Sequence, residues 1–195
     1  YTAAGVSLGA TAGAVAARLL GPSTANVVAT HVAVAGRLLG DAALGVQRAL
    51  AADDLDHARQ LLPALVGRDP TDLDEAEICR AVVESVAENT VDAVVAPVLW
   101  ALGGAAGVLG YRAVNTMDAM VGHRSPRYEA FGWAAARLDD AANWVPARVA
   151  ALLVAIARPR RAAVVWRTVR RDASGHPSPN GGVVEAAFAA ALGVR

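Results

Sequence analysis

The chain contains no lysine: every one of its 18 Lys-or-Arg positions is arginine. That absence excludes a Walker-type phosphate loop, a Schiff-base lysine and a Ser-Lys dyad, each of which needs the amine. Recognition of phosphate or carboxylate then falls to arginine forks or backbone amides. A GC-rich genome explains the bias, and the exclusion holds whatever the cause. Cysteine is nearly absent too. Cys79 alone permits no internal disulfide and no thiolate metal cage, and it reads as a small buried apolar side chain. Aromatic residues make up only 5% of the 195 positions, and β-branched runs are few beside Ala, Leu and Gly. Helices are favoured over strands. Charge of one sign is not in excess, 18 basic against 18 acidic, which argues against a nucleic-acid binder held by a broad basic surface.

What remains is an apolar chain, 55% hydrophobic and 18% charged. Its length suffices for one sizeable domain with a real core. It reads as a single helical domain over residues 1–195, all-α, a polytopic membrane helical bundle with polar helix–loop segments lining an inner cavity. Starting at Tyr1 and stopping at Arg195 in a helical pattern, it is expected to be a fragment. Tyr1–Leu20 is apolar except for Arg18 and ends at Gly21-Pro22, a helix stop. A second helix, capped by Ser23 or Thr24, is expected through about Leu50, then a short polar helix and a loop at Gly67–Thr71. Asp72 or Asp74 caps the next helix, kinked by Pro97 and ended at Gly103-Gly104. Ala105–Val121 follows, then the polar loop Gly122–Arg127. Tyr128–Ala157 is one helix or two, bent near Pro146. Six arginines from Arg158 to Arg171 flank its apolar second half, as at a cytoplasmic membrane boundary. An amphipathic surface helix with Val164, Val165 and Trp166 inward is the other reading. Asp172–Gly182 is a loop before a final helix from Val183.

Chemistry-bearing residues gather in clusters. Glu84, Glu88 and Asp92 fall at i, i+4 and i+8, so a helix aligns them on one face of an apolar segment. Stacked like charges destabilise a helix, and burying them unpaired costs several kcal/mol each, about 3–5 for a broken pair. Such a face calls for cations or a bound metal. Arg80 and Asn89 belong to the same cluster. Three others interrupt apolar helices: Arg112/Asn115/Asp118, Arg137/Asp139/Asp140/Asn143, and the loop His176-Pro177-Ser178-Pro179-Asn180. In a helical bundle they could converge on one polar cavity. Carboxylates without Cys or paired His suit Mg²⁺ rather than Zn²⁺. Mg²⁺ with arginine and no nucleophile is the equipment of phosphoryl-transfer or ligase chemistry. Structural Arg–carboxylate pairs holding helices in register remain the plain alternative. His123 and His176, near Arg124 and Asn180, are each a general acid/base, a phosphate ligand or a satisfied hydrogen-bonding residue. His31 and His57 read as structural or exposed, and the tryptophans as packing or membrane-interface positions.

Several long strings resemble one family. Val66–Asp69, Arg80–Asp92, Tyr111–Gly122, Phe131-Gly132-Trp133, Arg137–Asp140, Asn143–Arg148 and His176–Asn180 are similar, in order, to the adenosylcobinamide-phosphate synthase family of cobalamin biosynthesis (CobD/CbiB). The likeness covers roughly Arg37 to Arg195; residues 1–36 match only in general character. It implies a multi-pass protein of the inner cell membrane with its active site facing the cytoplasm. The implied reaction is amide formation between (R)-1-amino-2-propanol, or its O-phosphate, and adenosylcobyric acid. Because amide formation from a free carboxylate is uphill in water, ATP and Mg²⁺ with an acyl-phosphate intermediate are expected; no Zn, haem or PLP is. On that reading Glu84, Glu88 and Asp92 hold Mg²⁺ or orient the amine. Asp118, Asp139 or His176 handle protons. Arg80, Asn89, Arg112, Asn115, His123, Arg124, Arg137, Asp140, Asn143 and Asn180 contact phosphates or the corrinoid. Membrane lipid and other cobalamin-pathway enzymes are the expected partners, nucleic acid is not. The family carries an N-terminal segment with its own charged motif that has no counterpart here, and a longer C-terminus. A polytopic transport or ion-relay protein and a non-catalytic corrin-binding assembly subunit stay open beside the ligase.

Overall fold

The computed structural model describes residues 2–67, 69–122 and 129–194. Among these every regular element is helical, and there are no strands. The helices are α1 (Thr2–Leu20), α2 (Pro22–Ala33), α3 (Gly36–Ala51), α4 (Leu55–Leu61), α5 (Glu75–Thr90), α6 (Ala96–Trp100), α7 (Gly104–Met117), α8 (Glu129–Ala142), α9 (Trp144–Ala157), α10 (Ala162–Asp172) and α11 (Gly181–Leu192). Two π-turns, Val91–Val95 and Asp118–Gly122, follow α5 and α7.

Local chemistry explains most boundaries. Gly21, at φ 82°, takes the left-handed turn that stops α1, and Pro22 opens α2 where no amide is needed. Neither Ser23 nor Thr24 caps that helix, and the expected single helix to Leu50 breaks at Val34-Ala35. Asp54 caps α4 by accepting from the His57 amide at 2.9 Å. Asp74 and Glu77 form a reciprocal capping box at the start of α5, the Glu77 amide on Asp74 Oδ1 at 2.8 Å and the Asp74 amide on Glu77 Oε2 at 2.9 Å. The expected bend in the 128–157 segment is present: Gly132–Ala142 and Trp144–Ala157 meet at 43°. The break is at Asn143, three residues before Pro146, because the proline sits in the first turn of α9, where its missing amide is harmless.

Among the described residues, three apolar helical stretches are long enough to cross a membrane: Thr2–Leu20, the 30 residues Pro22–Ala51 and the 47 residues Glu75–Val121; the bent pair is a fourth if counted as one span. Leu8, Leu19, Val27 and Val32 are largely exposed, as lipid-facing side chains would be. The protein is thus a polytopic helical membrane protein.

The chain divides into two compact units. The first comprises Tyr1–Val34, Val91–Ala150 and Ser178–Asn180. Its core is Ala25, Ala29, Ala33, Ala105 and Val108, small side chains that let backbones approach. Gly5, Gly9 and Gly13 lie four residues apart along the α1 face against α7. A Cβ at Gly13 would stand 2.5 Å from the Ala105 carbonyl, and one at Gly9 the same distance from the Leu109 carbonyl oxygen. Rigid backbone cannot yield as a side chain does. Gly13→Ile is therefore expected to destabilise the protein by about 3 kcal/mol or more, the upper range for overpacking. Thermal unfolding in detergent checks this, with Gly40→Ala, which meets nothing within 4 Å, as the neutral comparison.

The second unit comprises Ala35–Thr90, Ala151–Pro177 and Gly181–Arg195. One core, Val46, Ala49, Ala58, Leu62, Ile78 and Ala81, joins α3, α4 and α5. Another, Ala151, Ala155, Val165, Val183, Ala187 and Ala190, joins the end of α9 to α10 and α11. The arginine-rich segment forms the amphipathic helix α10. Of the trio read as inward, Val165 is buried and Trp166 packs against that core, but Val164 is exposed.

Candidate functional site

In the first unit a polar lattice forms around Asn143, which is only 3% exposed. The π-turn after α5 carries Asp92, and π-turns are frequent at functional positions because they re-aim side chains within a helix. Asn143 donates from Nδ2 to Asp92 Oδ1 at 3.0 Å and to Asp139 Oδ2 at 2.9 Å. Its Oδ1 accepts from the Tyr111 hydroxyl at 3.0 Å. That hydroxyl also lies 3.4 Å from Asp92 Oδ1, and the Trp100 ring stacks on the Tyr111 ring at 6.3 Å. Asn115 reaches Asp139 Oδ1 at 3.4 Å and accepts from Arg112 Nη1 at 3.0 Å. Asp118, opening the second π-turn, adds a carboxylate that interacts with Asp92 and Asp139. Arg137 pairs with Asp140 at 3.4 Å near the surface. Asn180 donates to the Asp140 carbonyl at 2.8 Å and accepts from Arg148 at 2.9 Å, which pins the 178–180 segment to this unit. With both amide protons and its oxygen engaged, Asn143 holds two carboxylates in place.

The second unit holds a different constellation. Glu88 on α5, His176 after α10 and Glu185 on α11 present ligand atoms that all lie within 4.8 Å of one another, spacing fit for a divalent cation. His176 Nε2 is 3.4 Å from Glu185 Oε1. Gly181 makes this approach feasible: a Cβ there would fall 2.8 Å from both Glu88 Oε1 and His176 Cε1. Burial pushes the Glu185 carboxyl above the usual carboxylate range and Glu84 adds to this, while His176 pulls it back. Ser85 donates to the Leu65 carbonyl at 2.7 Å, and Asn89 donates to the Ser85 carbonyl at 2.9 Å, which fixes this wall of a cavity of about 320 Å³. A second cavity, about 1080 Å³, shares Glu84, His176 and Glu185 and extends past Arg80 and the arginines of α10. Cys79, expected to be buried, is exposed and lines this larger space, because it lies beside Arg80 on the α5 face away from Ile78.

The four clusters read from the sequence thus resolve into two constellations, one in each unit. Asp92, Arg112, Asn115, Asp118, Arg137, Asp139, Asp140, Asn143 and Asn180 belong to the first unit; Arg80, Glu84, Glu88, Asn89 and His176 belong to the second. His123 and Arg124 lie outside the described residues. The stripe of Glu84, Glu88 and Asp92 presumed unbroken α-helical spacing, and that spacing ends at Thr90, where the π-turn begins. Sequence reasoning passed over Tyr111 and Glu185. Glu185 carried a signal, as the sole ionisable residue of apolar α11. Tyr111 carried one only as the first residue of the family-like string Tyr111–Gly122.

A membrane-embedded helical protein with a carboxylate–imidazole cluster and arginine-lined space is the class that fold and site define. The chain belongs to the CobD/Cbib protein family, which matches it over residues 1–195. It is 54% identical over 181 residues to the "Cobalamin biosynthesis protein CobD" of Mycobacterium tuberculosis, covering 89% of this chain and 57% of that protein. The protein of the same name from Rhodobacter capsulatus is 49% identical over 156 residues, 80% of this chain and 49% of that one. That from Geobacter metallireducens is 45% identical over 201 residues, 99% of this chain and 63% of that one. The chain therefore spans about half to just under two thirds of the length of these relatives. No solved structure matches it.

Proposed function

We propose that the protein acts in cobalamin biosynthesis as an amide-forming ligase, joining (R)-1-amino-2-propanol or its O-phosphate to a carboxylate of adenosylcobyric acid. The relatives' shared name supports the pathway, and the resemblance of the long motifs supports the reaction. The observation that carries the chemical reading is the Glu88–His176–Glu185 cluster opening into an arginine-lined cavity. Its two carboxylates suit Mg²⁺, and the imidazole also accommodates Mn²⁺. A divalent ion there supplies charge neutralisation for phosphates when bound. In the reaction a corrinoid carboxylate oxygen displaces ADP from the γ-phosphorus of ATP. The amine nitrogen then displaces phosphate from the acyl carbon and loses a proton. On this reading Glu84, which acts electrostatically on Glu185, orients the amine or takes that proton. The basic flank from Arg158 to Arg171 favours a cytoplasmic location for this end of the molecule, in the inner membrane.

The test is synthesis by the full-length purified protein given adenosylcobyric acid, aminopropanol phosphate, ATP and Mg²⁺, with the amide read by mass spectrometry. EDTA and omission of ATP should each abolish product. Glu88→Gln should lower turnover by about 100-fold or more while thermal unfolding is unchanged, since charge-stabilising groups at such sites carry that weight. Wild-type protein that folds and makes no amide overturns the ligase reading.

A further inference from the structure

The larger cavity of the second unit is walled by stripes of three helices. On α5 the stripe is Ala76, Cys79, Arg80, Val83 and Glu84; on α10 it is Val164, Arg167, Thr168 and Arg171; each follows helical i, i+3, i+4, i+7 spacing. The third stripe, on α11 and just beyond, contains Gly182, Ala186, Ala189 and Gly193, small residues that keep that wall low and leave the volume open. Val165, fully buried, fixes the rotation of α10 and so turns Arg167 to the cavity.

The guanidinium groups there are not equally committed. Arg171 is held by Asp172 through contacts of 2.6 and 2.7 Å. Arg161 donates to the Ala190 carbonyl at 3.3 Å. Arg80 and Arg167 make no hydrogen bond or ion pair with another described residue, though each lines the same space from a different helix. The acidic groups of the cavity include Glu84 and Glu185, which stand with His176 in the region it shares with the cation-binding cluster. One region thus gathers carboxylates and an imidazole, and another gathers guanidinium groups.

We infer that Arg80 and Arg167, with Arg161 beside them, form a phosphate-binding site. Guanidinium forks match phosphate oxygens two at a time, and this chain has no lysine to share the task. A phosphate-bearing ligand lying along the cavity would place its oxygens against the arginines and its counter-cation toward Glu88, His176 and Glu185. The ligase reading is needed only to say which phosphorylated substrate this is.

Inorganic pyrophosphate is the probe, titrated calorimetrically into full-length protein in phosphatidylcholine nanodiscs. Saturable binding is expected. Arg167→Gln and Arg80→Gln should each weaken it about 10-fold or more, as loss of a charge-assisted pair does, whereas Arg170→Gln, which lies outside this cavity, should change it less than about twofold. The two variants sit on separate helices, so a folding defect in one leaves the other to decide, with thermal unfolding as the check. Nanodiscs containing phosphatidylglycerol separate the sources. Displacement of pyrophosphate identifies a lipid headgroup as the natural phosphate, and undiminished binding identifies a soluble one. Absence of saturable binding, or equal weakening by Arg170→Gln, overturns the site. Pyrophosphate binding by a protein that makes no amide removes the ligase reading alone; amide synthesis by a wild-type protein whose pyrophosphate binding is undiminished in the doubly substituted Arg80/Arg167 variant removes this one alone.

Discussion

Asn143→Leu is expected to destabilise the protein by about 2–4 kcal/mol, read as a large fall in its thermal midpoint in detergent. One amide makes three contacts: Asp92 at 3.0 Å, Asp139 at 2.9 Å and the Tyr111 hydroxyl at 3.0 Å. Neutral hydrogen bonds between membrane helices average only about 0.6 kcal/mol, so their simple loss gives a modest effect. The larger part comes from stranding acceptors: a buried polar atom left without its partner costs about 1–3 kcal/mol. Leucine keeps asparagine's branching at Cγ but is bulkier, so no cavity forms and overpacking adds to the cost. Asn143→Asp separates volume from hydrogen bonding further, since it keeps the shape but turns the two donors into a third carboxylate between Asp92 and Asp139. It should be at least as damaging. A leucine variant as stable as the wild type would mean that these carboxylates do not depend on the amide.

The second large effect is expected at Gly181. Valine there would force atoms into the space between Glu88 Oε1 and His176 Cε1, each 2.8 Å from an added Cβ. The ligand atoms could not then keep their spacing, and Mn²⁺ affinity, measured by calorimetry or electron paramagnetic resonance, should fall about 10–100-fold, the range seen when support of metal ligands is disturbed. Gly175→Ala, where nothing lies within 4 Å, should leave Mn²⁺ binding unchanged. Equal affinities in Gly181→Val and wild type would show that the cluster is not a cation site. EDTA-treated wild-type protein gives the zero point for both titrations.

Much of the architecture was legible because it depends on short-range rules. Alanine-rich apolar stretches read as helices, Gly21-Pro22 stopped one, and a cap at Asp72 or Asp74 announced another, of which Asp74 is the one used. The break at Val34-Ala35 was illegible, since neither residue disfavours a helix enough to mark it. The π-turn at Val91–Val95 was equally hidden: Val91–Val95 contains no glycine or proline, and continued α-helix was the natural reading. That single local departure is why a stripe of three carboxylates became two groups with different companions. Glu185 illustrates the same point from the other side. It was visible as a lone acid in an apolar helix, but nothing in its spacing tied it to Glu88, 97 positions earlier in the numbering, or to His176.

The sequence by itself determined the helical membrane character, the reliance on arginine for anion recognition and the residue strings that carry the family likeness. These are properties of composition and of neighbours a few positions apart, where periodicity and capping act. Tertiary structure alone decided which carboxylates meet an imidazole, which are tied by Asn143, and which guanidinium groups stay uncommitted beside a cavity. Those outcomes depend on how helices distant in the chain rotate and close upon one another. That rotation is set by packing of small side chains such as Gly13 against Ala105 and Val165 in its core, which no local spacing encodes.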